Sequence, residues 1–274
     1  MNLRVLTLNL WGEKEPLEER MRVLERALAS LRPDVIALQE VREIPGVLPN
    51  QAQTLASRLG YHWVWAPAVQ KRRGGQQGLA ILSRFEIQGH ATSPLPTTAP
   101  NAEPRILLMA ELETELGRLH CSSVHLSHRP ESIDREPQVR VIDEFLRAHP
   151  SPLPSILMGD FNTTPDSNPI RFLRGEMALD GHQASYRDAY ADCHPADPSG
   201  GITWARRNPF TARARHPDPE RRIDYVFIGP GSRARCTLSS CRVVLDEPSP
   251  DGVFASDHFG VMADLELSLV EPAR

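Results

Sequence analysis

Short apolar segments recur along the whole chain, and most of them are too short to be helices. Eleven segments have strand character, because apolar and polar residues alternate or because β-branched and aromatic residues are frequent. Three segments, near residues 17–31, 50–59 and 134–148, have the apolar spacing of an amphipathic helix. Many strands with few helices bury their apolar faces best in two packed sheets. We therefore predict an α/β (α+β) fold, a four-layer sandwich of two packed mixed β-sheets flanked by helices.

The order of these segments predicts both parallel and antiparallel strand pairs. A tight turn around Glu115-Leu116-Gly117 joins two strands as an antiparallel hairpin, so the sheets are mixed. The turn-rich segment Lys71–Gly78 and the proline-rich patch Ser93–Pro104 are predicted to be surface loops. The predicted strands are 3–8, 34–38, 61–65, 79–82, 105–113, 118–126, 155–158, 202–204, 223–228, 236–245 and 258–267.

Length and composition favour one large domain without a membrane segment. The 274 residues are enough for a single domain spanning 1–274 with a sizeable core. No window of about 20 apolar residues occurs, and the first strand begins without the features of a signal peptide. We therefore expect a cytoplasmic monomer with no integral membrane segment. The four cysteines lack metal-binding spacing, and we expect free thiols.

Charge is distributed unevenly along the chain. A formal net charge of −4 argues against a protein that coats nucleic acid non-specifically. Between residues 206 and 222 the local balance is +4, and this segment is either a solvated loop or a rim that attracts a phosphate-bearing substrate. Its charged residues are Arg206, Arg207, Arg213, Arg215, Arg221 and Arg222 against Asp218 and Glu220.

Polar side chains with catalytic chemistry follow or flank the apolar strands. Ligands of α/β proteins bind beyond the carboxyl ends of strands, so these side chains are expected to meet. An Asp-x-Asn step offers hard oxygen ligands to Mg²⁺, and an Asp-His step adds a carboxylate and a group that transfers protons near neutral pH. Each motif alone also fits a turn or a solvated strand end. The residues are Asn9, Glu40, His125, Asp160, Asn162, Asp224, Asp257 and His258.

Six of these local contexts, taken in order, resemble the endonuclease/exonuclease/phosphatase superfamily. They are Leu-Asn-Leu-Trp, Leu-Gln-Glu-Val, Val-His-Leu, Gly-Asp-Phe-Asn, Arg-Ile-Asp-Tyr-Val-Phe and Ser-Asp-His, and they span residues 5–265. The resemblance implies a DNase I-like fold. It also implies hydrolysis of a phosphate ester by in-line attack of water on phosphorus, with Mg²⁺ as the cofactor and Mn²⁺ as a possible substitute.

The resemblance also assigns roles to the motif residues around the metal and the attacking water. Glu40 is expected to coordinate the metal, with Asn9 beside it through a direct or water-mediated contact, and Asp257 is expected near the metal centre. Asp160 and Asn162 are expected to position the attacking water and bind the phosphoryl group. Their spacing lets both side chains project to the same side of one extended segment.

The two histidines of the motifs are expected to act on the substrate directly. His258 is the expected general base or electrostatic partner, oriented by Asp224. His125 is expected to donate to a non-bridging phosphate oxygen. Whether Asp160 or His258 activates the water, and whether one or two metal ions act, stays open.

Further residues, with weaker signals, are predicted to bind substrate. Arg105 and His128, with Arg129, are placed to hold a second phosphate or a polar head group, the alternative being a surface ion pair. Trp204, near Asn208, is placed to cover the substrate, the alternative being a buried core indole.

Catalytic motifs alone do not identify the substrate, because this family reuses them on several phosphate esters. The leading hypothesis is a phosphodiesterase, and the main rival within the class is a DNA or RNA nuclease, so nucleic acid stays a possible partner. A third hypothesis is a catalytically inactive module that binds phosphate.

Overall fold

The fold is described from a computed structural model that covers residues 1–98, 102–129, 133–198, 200–213, 220–231 and 233–270, without the side chains of residues 73 and 213. Part of the predicted arginine-rich segment, including Arg215, lies outside the described residues. In chain order the elements are β1 (Asn2–Asn9), α1 (Leu17–Leu31), β2 (Val35–Glu43), α2 (Gln51–Leu59), β3 (His62–Gln70), β4 (Gln76–Ser83), β5 (Ile87–Leu95), β6 (Arg105–Thr114), β7 (Gly117–His125), α3 (Arg135–Ala148), β8 (Ile156–Asp160), α4 (Asn168–Leu173), β9 (Arg187–Asp188), α5 (Ala189–Cys193), β10 (Asp224–Ile228), β11 (Ala234–Val244) and β12 (Gly260–Leu269).

The strands form two six-stranded sheets. The strand order is β11-β12-β1-β2-β4-β3 in the first sheet and β5-β6-β7-β8-β10-β9 in the second. One neighbouring pair in each sheet is parallel, β1 with β2 and β7 with β8, and the other neighbouring pairs are antiparallel. The prediction of two mixed sheets is confirmed.

Alternation along the strands divides the apolar residues between two faces of each sheet. In β1, Val5 belongs to the cluster between the sheets, together with Met158 of β8. Its neighbour Leu6 packs with Leu24 of α1 on the outer face of the first sheet. On the outer face of the second sheet, Ile142 of α3 belongs to the outer cluster. Because successive side chains of a strand point to opposite faces, this pattern gives the predicted four layers.

Several predicted elements differ from the structure. Residues 202–204 form only an isolated bridge, between Trp204 and Arg221, in place of a strand. Part of the proline-rich patch belongs to β5, whose side chains alternate between partly buried and exposed, and the predicted loop at residues 71–78 gives way to β4 at Gln76. The short helices α4 and α5 were not predicted, because six and five residues are too few to show a helical period.

Among the helices within these described ranges, none has both the length and the apolar character that crossing a membrane requires.

Candidate functional site

A cleft of about 640 Å³ opens at one edge of the sandwich, where strand ends of both sheets meet. The first sheet contributes Asn9, the last residue of β1. In the second sheet, strand pairing aligns Asp160 with His125 on one side and with Asp224 on the other. The register of β7, β8 and β10 therefore sets three predicted site residues in a row. The loop before β12 adds His258 to the same cleft.

The glycine of the Gly-Asp-Phe-Asn motif lets two strands approach closely at the site. Gly159 has φ +150°, and a Cβ on this residue would lie 2.1 Å from the carbonyl oxygen of Val124. Any larger residue would push β8 away from β7. The residue before Asp160 is thus restricted to glycine by backbone packing.

The two oxygens of Asp160 make different contacts. Oδ1 accepts the backbone N–H of Asn162 at 2.9 Å, which closes a turn in which Asn162 has φ +52°. The side-chain amide of Asn162 donates to the carbonyl of Leu126 at 3.1 Å. Asp160 and Asn162 both line the cleft as predicted, but the extended segment proposed for them is wrong, because the chain turns after Asp160.

The second oxygen of Asp160 faces three polar groups. Oδ2 accepts from the side-chain amide of Asn9 at 3.0 Å. It lies 3.4 Å from Nε2 of His125 and 3.8 Å from Nε2 of His258. This single buried oxygen therefore joins strand ends of both sheets to the loop before β12.

His258 lies between two carboxylates and carries a positive charge. Its Nδ1 is 2.9 Å from Oδ2 of Asp224, and its Nε2 faces Asp160. Burial opposes the imidazolium, but the nearby carboxylates outweigh burial and raise the pKa of His258 to about 10. Burial raises the pKa of Asp160 to about 6, against the lowering effect of His258. At neutral pH the Asp160 carboxylate therefore faces the imidazolium of His258.

His125 is uncharged, unlike His258, although it contacts the same oxygen of Asp160. Burial, with the positive charges of Arg105 and His258, holds the pKa of His125 well below its ordinary value. His125 is therefore a neutral imidazole near pH 7, and His258 is an imidazolium. The surroundings thus shift the pKa values of these two histidines in opposite directions, which suits them to different roles beside the same carboxylate.

Glu40 reaches the cleft from within a strand. The pairing of β2 with β4 is irregular between Leu38 and Val41, and Glu40 has φ +54° at this bulge. The prediction that Glu40 lies at or past the strand end is therefore wrong, since β2 continues to Glu43. The bulge turns the side chain into the cleft, as bulges beside functional sites commonly do.

Asn9 holds the two carboxylates that approach from different sheets. Its Nδ2 donates to Glu40 at 3.3 Å and to Asp160 at 3.0 Å, while its Oδ1 accepts the backbone N–H of Trp11 at 3.0 Å. In this arrangement the amide hydrogens face the carboxylates and the oxygen is turned away. A part for Asn9 in holding a metal stays a prediction.

Glu40 and Asp257 form the part of the cleft that suits a divalent cation. Both line the cleft, and burial, followed by the charge of Glu40, raises the pKa of Asp257 to about 7 against the opposing effect of His258. Mg²⁺ is usually held by one or two carboxylates, with waters and substrate phosphate oxygens completing its shell, and an open cleft leaves room for them. The residues therefore fit such an ion.

A second group offers atoms at ligand distances but suits a metal less well. Asp160, Asp224 and His258 have potential ligand atoms within 4.8 Å of one another. A metal needs the neutral ring of histidine, whereas the two carboxylates keep His258 protonated. We call Glu40, Asp160, Asp224 and Asp257, together with His125 and His258, the acidic floor of the cleft.

Asn208 was predicted to bind substrate, and the structure places it beneath the site instead. Its fully buried side chain donates to the carbonyls of Ser256 at 2.7 Å and Asp257 at 3.2 Å. A buried amide that bonds to the loop backbone positions Asp257 and His258 and does not reach a substrate in the cleft. Trp204 does line the cleft, with its ring edge-on to His258 at a centroid distance of 4.9 Å.

The described arginines of the 206–222 segment do not form a rim as a group. Arg222 is buried and forms an ion pair with Asp188, with both oxygens 3.0 Å from Nη1. Arg207 is bonded to Asp246 at 2.7 Å. Because these charges are already paired, the functional interpretation of this segment is not supported for them.

Arg20 is a positioning residue that sequence reasoning missed. Its fully buried guanidinium donates to four backbone carbonyls, of Leu10, Gly12, Lys14 and Ala255, at 2.8 to 3.1 Å. These bonds tie the loop after β1 to the segment just before the Ser-Asp-His motif. A signal existed in the sequence, because Arg20 occupies the apolar stripe of α1 four residues before Leu24.

Arg105 and His128 also line the cleft, as predicted. Arg105 donates from Nη2 to Nδ1 of His128 at 3.0 Å, and its Nη2 lies 3.8 Å from Glu103. They lie in a cleft and not on an open surface, so the alternative of a simple surface ion pair does not describe them.

Comparisons with known proteins agree with this geometry. Residues 6–258 match the model of the endonuclease/exonuclease/phosphatase family, and the chain belongs to this family. It is 26% identical over 261 residues to exodeoxyribonuclease III of Haemophilus influenzae, covering 85% of this chain and 90% of that protein. The family resemblance predicted from the motifs is confirmed.

Solved structures give the same fold. An endonuclease/exonuclease/phosphatase of Beutenbergia cavernae superimposes with a TM-score of 0.74 at 27% identity, covering 97% of this chain and 72% of that one. D. rerio TDP2 in complex with a single-strand DNA product gives a TM-score of 0.76 at 22% identity, covering 97% and 99%. The chain is thus a phosphoesterase of this superfamily by sequence and fold, and its substrate remains to be assigned from the site.

Proposed function

We propose that the protein is a Mg²⁺-dependent hydrolase of phosphate esters, most simply a phosphodiesterase, and that the whole chain is one catalytic domain. The observation that carries the proposal is the position of Oδ2 of Asp160. This oxygen lies within 3.8 Å of two histidines, of which His125 is neutral and His258 is positively charged. Such a carboxylate can accept a proton from water while charged and neutral donors stabilise the phosphate.

In the proposed reaction, Asp160 is the general base. His258 already carries its second proton, so it cannot accept another from the attacking water. Its positive charge, fixed by Asp224, stabilises the negative charge that grows on the phosphate oxygens. His125 is neutral and donates a hydrogen bond to a non-bridging oxygen. Asn162 fixes the orientation of Asp160 through the turn between them.

Glu40 and Asp257 would hold the metal ion, with Asn9 fixing the side chain of Glu40. When bound, Mg²⁺, or Mn²⁺ in its place, neutralises phosphate charge and polarises the phosphorus centre. The protein's own contribution is to hold the two carboxyl groups side by side in the cleft, and a bound cation would favour the ionised form of Asp257 against the burial that raises its pKa.

A nuclease is the second candidate. It is favoured by the relation to an exodeoxyribonuclease and by the shared fold with a TDP2 that was solved with a single-strand DNA product. The buried arginine of the cleft, Arg105, is consistent with a substrate that carries more than one phosphate.

The first experiment asks whether the protein is an enzyme. Hydrolysis of bis-p-nitrophenyl phosphate is measured with Mg²⁺, with Mn²⁺ and with EDTA, for the wild type, Asp160→Asn and Glu115→Gln. Glu115 is exposed in the turn between β6 and β7, at the opposite end of β7 from His125, and serves as the control. We expect metal-dependent turnover that Asp160→Asn abolishes. If neither this ester nor a panel of DNA, RNA, cyclic dinucleotides, sphingomyelin and inositol phosphates is hydrolysed, the protein is an inactive phosphate-binding module.

A second experiment tests the metal assignment. Glu40→Gln is expected to raise the Mg²⁺ concentration for half-maximal rate on the order of tenfold or more, because a carboxylate ligand is lost. Glu115→Gln again serves as the control. An unchanged metal requirement in Glu40→Gln would remove Glu40 from the site.

A further inference from the structure

One side of the cleft carries positive charge that the proposed hydrolysis does not use. Lys71 and Arg72 lie in the turn between β3 and β4, and Glu103 lies just before β6. Arg105 is the first residue of β6, and His128 follows β7. All five line the same cleft as Asp160. We call these residues the basic wall.

The charges of the basic wall do not cancel. Glu103 is the one carboxylate among them, and it pairs with Lys71 and, at 3.8 Å, with Arg105. Arg72 is exposed and forms no ion pair within the described ranges. His128 accepts a hydrogen bond from Arg105 at Nδ1, and its pKa is lowered, first by burial and then by Arg105, so it is neutral. Three cations against one carboxylate leave a local charge of +2.

Arg105 is a buried cation of the basic wall with few partners for its charge. Its side chain is 6% exposed. Among the described residues its Nε and Nη1 make no hydrogen bond, and they are not sealed from the cleft. A buried guanidinium is normally matched by hydrogen bonds and by opposite charge. Arg105 has an ion pair at 3.8 Å with Glu103, which Lys71 shares, and a hydrogen bond to the neutral His128.

The position of Arg105 links the basic wall to the acidic floor. A narrow gap in the structure is bordered by Arg105, Glu40 and His125 together. An anion on the free donors of Arg105 therefore lies next to the proposed site of the scissile phosphate. Guanidinium donors match phosphate oxygens in geometry as well as in charge.

We propose that the basic wall is a second anion subsite that takes another phosphate of the same substrate molecule. The inference rests on the proposed function and narrows it to esters that carry a second phosphate close to the scissile one. A phosphorylated nucleotide and the next phosphate of an oligonucleotide share this chemistry. A simple diester with a single phosphate leaves Nε and Nη1 of Arg105 without an acceptor and Arg72 without an ion pair among the described residues.

Two matched substrates test the proposal. Thymidine 5′-(4-nitrophenyl phosphate) and the same ester with a 3′-phosphate differ only in the second phosphate. With Mg²⁺ present, we expect the wild type to prefer the 3′-phosphorylated ester on the order of tenfold in kcat/KM, mainly through KM. Arg72→Ala is expected to reduce this ratio severalfold and Arg72→Lys to restore part of it. A dinucleotide ester, whose second phosphate is a diester, distinguishes an internucleotide phosphate from a terminal one.

The control is Arg22→Ala, since Arg22 is exposed on α1 and outside the cleft, and its ratio is expected to equal that of the wild type. Equal rates on the two esters in the wild type, or a ratio that survives each of Arg72→Ala, Lys71→Ala and Arg105→Met, would overturn the second subsite while leaving the hydrolase intact. If neither thymidine ester is hydrolysed while bis-p-nitrophenyl phosphate is, the second subsite is overturned and the hydrolase stands; if no ester of the earlier panel is hydrolysed either, the proposed function itself is overturned.

Discussion

The acidic floor and the basic wall share one cleft, yet they are built in different ways. Side chains of the floor come mainly from strand ends and from a loop that Arg20 and Asn208 hold by backbone hydrogen bonds. In the wall, Lys71 and Arg72 extend from a turn, and Glu103 is shared between two cations. The difference agrees with the proposal that strand ends carry the reaction, whereas the wall, which apart from Arg105 of β6 lies outside the strands, selects the substrate.

Among the variants of the acidic floor, Asp160→Asn is expected to cause the largest loss of activity. The amide keeps the shape but cannot accept a proton, so kcat should fall on the order of a thousandfold. Both oxygens of Asp160 accept hydrogen bonds, so the amide nitrogen must face a donor and the unfolding temperature should fall, although removal of a buried charge whose pKa is raised to about 6 offsets part of the loss. Rate measurements paired with thermal unfolding check both. A retained rate would exclude Asp160 as the base.

Asp224→Asn should have the next largest effect. Oδ1 of Asp224 has no hydrogen-bond partner in the described part of the chain, so an amide nitrogen fits there without displacing a donor. The variant keeps an oxygen for Nδ1 of His258 but removes the charge that favours the imidazolium. We expect kcat to fall on the order of a hundredfold and the pKa of His258, measured by NMR titration, to fall as well. An unchanged histidine pKa would show that Asp160 alone holds the charge.

Much of the fold was predictable because it follows from local patterns. The period of α1 and the alternation in β1 give each element its apolar face, and four layers are the way to bury these faces. Residues 202–204 were misassigned because Thr203 and Trp204 look like a strand locally. Their backbone instead bonds to Arg221 and forms no ladder. Pairing between distant segments cannot be seen in a short window.

The residues of the acidic floor were also predictable, but for a different reason. The contacts that hold them in place were not predictable. Ordered motifs identified residues such as Asp160 and His258, since their chemistry depends on residue type. The bulge that carries Glu40 depends on the pairing of β2 with β4, and the buried place of Asn208 depends on the loop above it. Such contacts join residues far apart in the chain, so single residues carry little signal for them.

Metal and pH together test the electrostatics of the floor through stability. The pKa of Asp257 is raised to about 7 from 3.8, so the folded protein binds this proton more tightly than the unfolded chain does. Stability from this group is therefore present at low pH and is lost as pH rises from about 4 through about 7. The raised pKa of His258 continues the loss from 6.5 to about 10. Without metal, the unfolding temperature should fall between pH 5 and pH 9.

Mg²⁺ is expected to offset part of that fall, because it neutralises the carboxylates once they are ionised. The increase in unfolding temperature on adding Mg²⁺ in place of EDTA should therefore be larger at pH 8 than at pH 5. In Asp257→Asn the dependence on pH between 5 and 8 should flatten. A metal effect that does not change with pH would mean that the ion binds elsewhere.

The smallest expected effect distinguishes charge from contact in the basic wall. Lys71→Met combined with Glu103→Gln removes one cation and one carboxylate, so the local charge stays at +2 while the ion pair between them is lost. If the wall attracts a second phosphate by its charge, the preference for the 3′-phosphorylated ester should stay within about twofold of the wild type, because the net charge is unchanged and a partly exposed ion pair contributes little by itself. Lys71→Met alone lowers the charge to +1 and should weaken the preference. An equal loss of this preference in the single and double variants would instead mean that the Lys71 amine contacts the substrate directly. The wall would then bind the second phosphate by specific contacts and not by its net charge.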